Sequence, residues 1–199
     1  MRRIHIVGAS HAVRLRQALT LHTDNKRKYT VVSHAVPSKK YFDLIWPDFT
    51  TLEVGDVLVL ILFGNDLFKN GYRKYENVFH LEHFAPNTDE YFNIRYLDLK
   101  NRLSQVPAGV EVKIVSSFYR HFCCAKHTHV GLLKYFNFRN RQLEQFKSEN
   151  VMVLDHRYLV HSSFRKAKDT KIYRALQADA VHFRSYAYIA ERILSTISW

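Results

Sequence analysis

The chain has 199 residues, 47% of them apolar, enough for one sizeable domain with a full core and too many for a disordered protein. The net charge of +12 with histidine neutral points to an anionic partner, most simply nucleic acid, with acidic lipid or an acidic protein as alternatives. The longest apolar run, Val57 to Phe63, is strand-sized, so no segment reads as a membrane span. Met1-Arg2-Arg3 leads straight into a strand, without the apolar stretch and small-residue cleavage site of a secretory signal. The two cysteines, Cys123 and Cys124, are adjacent and build no disulfide framework. Both features point to an intracellular, cytoplasmic setting.

Ile4, Ile6 and Val7 open the chain as a buried strand. Gly8 breaks the run, and Ser10 stands where a helix should begin, with Val13, Leu15 and Leu19 as its apolar residues. A serine there is either a helix N-cap or a nucleophile. Asp24 to Tyr29 reads as a charged turn and Tyr29 to Ser33 as a second strand. Pro37-Ser38-Lys39-Lys40 looks like a helix start, with Tyr41, Leu44 and Ile45 on its apolar face. Val57 to Phe63 is unbroken rather than alternating, as a central parallel strand covered on both faces should be.

Leu67 to Asn93 is the least regular part, an insert rich in aromatic and basic residues. It reads as a lid, a substrate wall, a nucleic-acid surface or a satellite hydrophobic cluster. Ile94 to Leu103 reads as helical, with a start that can reach back into the preceding aromatics, Val110 to Ser116 as a fourth strand, and Phe118 to His129 as a second irregular segment. Leu132 to Glu149 has helical periodicity, Val151 to Leu154 is a fifth strand, and a basic connection runs from Arg157 to Lys171. The last helix is expected from about His182 to Ile197, with Tyr186, Ile189, Ala190 and Ile193 facing inward. Strands alternate with helices, which predicts a single α/β domain over 1–199 with a parallel sheet covered on both sides.

Three polar clusters fall where such a fold places its sites: Gly8-Ala9-Ser10-His11, Gly64-Asn65-Asp66 and Asp179-Ala180-Val181-His182. The first two follow parallel strands and so share an edge of the sheet, and the third precedes the last helix. A serine hydroxyl becomes a nucleophile when a histidine accepts its proton. The histidine needs a carboxylate to fix its tautomer. An asparagine amide and the N–H groups of a helix start can hold an oxyanion.

In this order the clusters resemble the sequence blocks of the SGNH/GDSL hydrolase superfamily, and Phe183, Ser185 and Tyr186 fit the residues that usually follow the last block. The resemblance implies a flavodoxin-like, three-layer α/β/α sandwich with about five parallel strands. It also implies hydrolysis of a small acyl or acetyl ester through an acyl-enzyme, with no cofactor. Carried over, Ser10 is the nucleophile, His182 the base and Asp179 its partner, while Asn65 and the N–H of Ser10 serve the oxyanion hole. Two positions depart from the family pattern. Ala9 stands where the family has an acidic residue, and Ser33-His34-Ala35-Val36-Pro37 lacks the glycine that supplies a further oxyanion-hole N–H. Ala35 is left to offer that N–H, without glycine's conformational freedom. Read structurally instead, Asp179 caps the last helix, His182 sits in its first turn, and Asn65 shapes a turn.

His121, Cys123, Cys124, His127 and His129 cluster, but their spacing matches no standard zinc pattern, and no metal site is expected. His11 and His34 are candidates to line the site beside Ser10. Basic residues gather at Lys26, Arg27, Lys28, Lys39, Lys40, Arg139, Arg141, Arg157, Arg165, Lys166, Lys168, Lys171 and Arg174. On one face they would hold phosphates, and exposed aromatics beside them would stack single-stranded bases. Some SGNH relatives occur next to RNA-binding regions in proteins of non-LTR retrotransposons. The carboxy-terminal domain of Oskar resembles the hydrolases, lacks their catalytic residues and binds RNA. The expected partners are therefore a small ester substrate and RNA or another polyanion, with a non-catalytic RNA-binding module as the alternative to the esterase.

Overall fold

Runs of β-branched and aliphatic residues form five strands that pair in parallel in a computed structural model describing residues 1–21, 29–67, 69, 86–116, 126–155 and 185–198. The strands are β1 (Arg2–Gly8), β2 (Tyr29–Ser33), β3 (Val57–Ile61), β4 (Glu111–Val115) and β5 (Val151–Leu154). Their order is β2-β1-β3-β4-β5, with Ile4 opposite Val57 and Gly8 opposite Ile61. Every residue of β3 is buried, as its unbroken apolar run requires of a central strand.

Among the described residues, four helices cover the sheet: α1 (Ser10–Leu21), α2 (Asp89–Leu103), α3 (Lys126–Gln142) and α4 (Ala187–Leu194). Strand alternation sends Ile4, Ile6, Val57 and Val59 to one face, where Ala12, Leu15 and Leu19 of α1 and Ile189 and Ile193 of α4 close the core. Val7, Leu58, Leu60, Val112 and Ile114 point the other way, against Phe92 and Leu99 of α2, Phe136 of α3 and Tyr41. The result is a three-layer α/β/α sandwich with the flavodoxin-like strand order. From β1 the chain moves outward to β2 and then crosses back over β1 to β3. The order therefore reverses between β1 and β3, the kind of switch point at which open α/β sheets place their sites.

Four sequence expectations need correction. The segment beginning at Pro37 forms no α-helix, only a single 3-10 turn at Tyr41–Asp43. Tyr41 and Leu44 are buried there as expected, but Ile45 is exposed. Tertiary contacts override the helical signal. The Tyr41 N–H is drawn to Asp66 (2.9 Å), its ring stacks on Phe63 (centroids 4.9 Å apart), and Pro47 disfavours helical backbone at Trp46. The third strand stops at Ile61 because Phe63 takes a left-handed backbone (φ 63°) and turns the chain away. Helix α3 begins at Lys126, inside the segment expected to be irregular, and gives way after Gln142 to a 3-10 turn at Leu143–Phe146. The last helix starts at Ala187, because Tyr186 (φ −105°, ψ 2°) lies outside helical geometry. Among the described residues, no helix is long and apolar enough to cross a membrane.

Candidate functional site at the carboxyl edge of the sheet

The turn out of β1 depends on Gly8. A Cβ at this position would lie 2.4 Å from the Ile61 carbonyl oxygen and 2.9 Å from the Ala12 Cβ. Only glycine lets the end of β1, the end of β3 and the start of α1 meet this closely. Two residues later Ser10 stands half-buried in the first turn of α1.

Ser10 is not the cap of that helix. The Ala9 carbonyl accepts the first helical bonds, from the Ala12 N–H (2.9 Å) and the Val13 N–H (3.2 Å), so Ala9 holds the N-cap place. Among the described residues the Ser10 hydroxyl makes no hydrogen bond. It lies at the positive end of the α1 dipole, where negative charge is favoured.

Asn65 lies on the turn after β3, the strand next to β1, and is half-buried. Its Nδ2 donates one hydrogen to the Lys39 carbonyl (2.9 Å), which leaves the second amide hydrogen to donate elsewhere. Lys39 and Lys40 thus sit against this turn, and Lys40 Nζ donates to the Lys69 carbonyl (3.0 Å). Ala35 follows β2, whose run-out continues the ladder through His34 N–H to Ile6 O (2.9 Å) and Val36 N–H to Gly8 O (3.0 Å). The Ala35 N–H alternates to the other side of the strand and donates to the Ser33 hydroxyl (3.3 Å). Left-handed backbone among the described non-glycine residues occurs at Ser38 and Phe63, so Ala35 does not adopt a glycine-type conformation.

Asp66 was read from the sequence only as part of a motif, yet it organises this edge. It is buried, and its carboxylate accepts from the Tyr41 N–H (2.9 Å), the Tyr91 hydroxyl (2.8 Å) and Arg95 Nε (3.0 Å). Burial raises its carboxyl above the ordinary range, against the pull of those three donors. Its own carbonyl accepts from Asn87 Nδ2 (2.6 Å). Asp66 therefore ties the turn carrying Asn65 to the 3-10 segment and to α2. The sequence signal for this is an acidic residue in the glycine turn that ends the apolar run Val57 to Phe63.

His11 follows Ser10 on α1. It is buried between α1 and the residue preceding α4, with Nδ1 paired to the Tyr186 hydroxyl. His34 is half-buried at the end of β2 and meets His5, a buried polar residue inside β1 that sequence reading passed over. Asp179 and His182 lie outside the described residues, as do Lys26, Arg27, Lys28, Arg157, Arg165, Lys166, Lys168, Lys171 and Arg174. His121, Cys123 and Cys124 also lie outside them, and His127 and His129 are placed only as helical positions of α3. Among the described residues no group of three or more histidine, cysteine or acidic side chains could hold a metal ion. Arg139 is committed to structure: it is buried, stacks on Phe92 (4.1 Å) and pairs with Asp89 (2.8 Å). The structure thus brings Ser10 and Asn65 to the ends of adjacent strands at the fold's switch point. No protein-family model and no curated protein matches this chain.

Proposed function

We propose that the protein is an SGNH-type serine hydrolase of a small acyl or acetyl ester. The observation that carries this reading is the Ser10 hydroxyl, half-buried at the start of α1 and not spent on capping. In the proposed reaction, Ser10 Oγ attacks the ester carbonyl while His182, oriented by Asp179, takes the hydroxyl proton. The oxyanion is met by the Ser10 N–H, one of the unpaired first-turn donors, and by the second amide hydrogen of Asn65. His182 then returns its proton to the departing alcohol, and water attacks the acyl-enzyme by the same route. The Ala35 N–H joins only if it leaves the Ser33 hydroxyl, so the hole works with two donors. Hydrolysis of p-nitrophenyl acetate tests the reading. Ser10→Ala should abolish turnover, and Asn65→Ala should lower kcat by about 100-fold with little change in KM. Equal turnover by wild type and Ser10→Ala would refute it.

A second reading has its own observation. Lys39 and Lys40 flank the Asn65 turn, at the same edge as Ser10, in a chain of net charge +12. A basic module binding RNA across this edge would lose affinity steeply with salt, and Lys39→Ala with Lys40→Ala would flatten the slope. The two activities are compatible, since an esterase can sit on a polyanion.

A further inference from the structure

On the sheet face away from α1, three titratable side chains run across the strands: His34 after β2, His5 within β1 and Asp56 before β3. Asp56 is buried and fully occupied. It accepts from Arg3 Nε (3.0 Å), a terminal Arg3 nitrogen (2.6 Å), the Arg3 N–H (3.1 Å) and the Glu53 N–H (2.9 Å). Burial opposes its charge, yet these donors hold its carboxyl below the ordinary range, so it is a carboxylate. His5 Nε2 lies 3.7 Å from Asp56 Oδ2 and is closed off from any other partner. A lone pair facing an anion at that range is repelled, and an N–H is attracted. His5 therefore carries its hydrogen on Nε2, and its Nδ1 is an acceptor.

His5 Nδ1 lies 3.2 Å from His34 Nε2, with the two rings close to parallel (10°). Since His5 Nδ1 accepts, His34 Nε2 must donate, and the lone pair of His34 stands on Nδ1. Among the described residues that nitrogen makes no hydrogen bond, and it is not sealed from solvent. The other charged groups around the row are Arg3, already bonded to Asp56, and Glu53, 3.4 Å from Arg3.

We propose that Asp56, His5 and His34 form a relay that presents His34 Nδ1 as a proton acceptor at the carboxyl edge of the sheet, for a water or a ligand hydroxyl. In the step, Nδ1 takes the proton and the O–H electron pair stays on oxygen. The new imidazolium keeps its Nε2–H on His5, and His5 keeps its own Nε2–H facing the Asp56 carboxylate at 3.7 Å, so no proton passes along the row. A second proton on the pair would set two N–H groups face to face across the 3.2 Å contact, so the pair takes up one proton and not two. Burial keeps both rings neutral at pH 7, the state a base needs. The relay stands whether or not Ser10 is acylated, because none of its contacts involves Ser10.

The test is a long-range proton–nitrogen correlation spectrum of the full chain with 15N-labelled histidine, followed from pH 8 downward. The relay requires protonated Nε2 and lone-pair Nδ1 on both His5 and His34, and uptake of the first proton at His34 Nδ1 while His5 stays neutral. In folded His5→Phe, His34 should bind its proton about threefold more weakly, having lost the acceptor for its Nε2–H. A hydrogen on Nδ1 of either residue at pH 8, protonation of His5 before His34, or an unchanged His34 titration in folded His5→Phe would each overturn the proposal. If His5→Phe fails to fold, the wild-type spectrum decides alone.

Discussion

Gly8 and Ser10 show how closely chemistry and backbone are bound at the residue scale. Any side chain at Gly8 meets the Ile61 carbonyl at 2.4 Å, so Gly8→Ala must push β1 and β3 apart or displace α1. The expected loss is about 2–3 kcal/mol in urea unfolding, with a larger fractional loss of any Ser10-dependent activity than of stability. His5 and His34 set the acid limit. Their protonated forms are disfavoured in the fold, chiefly by burial, so each holds a proton less readily than a free imidazole of pKa 6.5. The unfolded chain then takes up protons first, so stability is full above about pH 6.5 and falls as the pH drops below it. Thermal unfolding at pH 7 and pH 5.5 should show the decrease, and His34→Asn should shrink it. Of these residues, the sequence made Ser10 and Asn65 legible through the glycine turns that follow apolar runs. It did not reveal that Ala9 rather than Ser10 caps α1, because the cap is fixed by where the strand releases the chain. His5 escaped notice because a single polar residue inside an apolar run carries no partner information.

At the scale of elements, periodicity was a sound guide wherever burial alone shapes the segment. The five strands stand where β-branched runs placed them, and α2 reaches back into the aromatics before Ile94, with the Thr88 hydroxyl accepting from the Tyr91 N–H (3.3 Å) at its start. Periodicity failed over residues 37–45, where Asp66 captures the Tyr41 N–H and the Tyr41 ring is held on Phe63. Such contacts are tertiary and leave no local pattern. Asp66 joins three elements through one buried carboxylate, so Asp66→Ala should cost about 3–5 kcal/mol by leaving Arg95 and the Tyr41 N–H without their acceptor. Chemical denaturation measures that cost directly. A loss under 1 kcal/mol would mean that the aromatic packing alone holds the segment.

For the whole molecule, strand order decides where function can sit. The chain moves outward from β1 to β2 and then crosses back to β3, so the ends of β1 and β3 flank the switch point, and Ser10 and Asn65 stand just beyond them. The α/β/α architecture was legible from the alternation of strands and helices alone, since parallel neighbours require crossovers and crossovers cover the sheet. The net charge of +12 belongs to this scale as well. Most of the excess falls in segments outside the described residues, so the sequence reports its size and not its shape. Ester hydrolysis at this edge requires an activated Ser10 hydroxyl. The most direct measurement is intact-mass analysis of the folded chain after treatment with a fluorophosphonate, in parallel with Ser10→Ala and His182→Ala. One adduct is expected on the wild-type chain, located at Ser10, and none on either variant. An unlabelled wild-type chain, or equal labelling of Ser10→Ala, would contradict hydrolysis through Ser10.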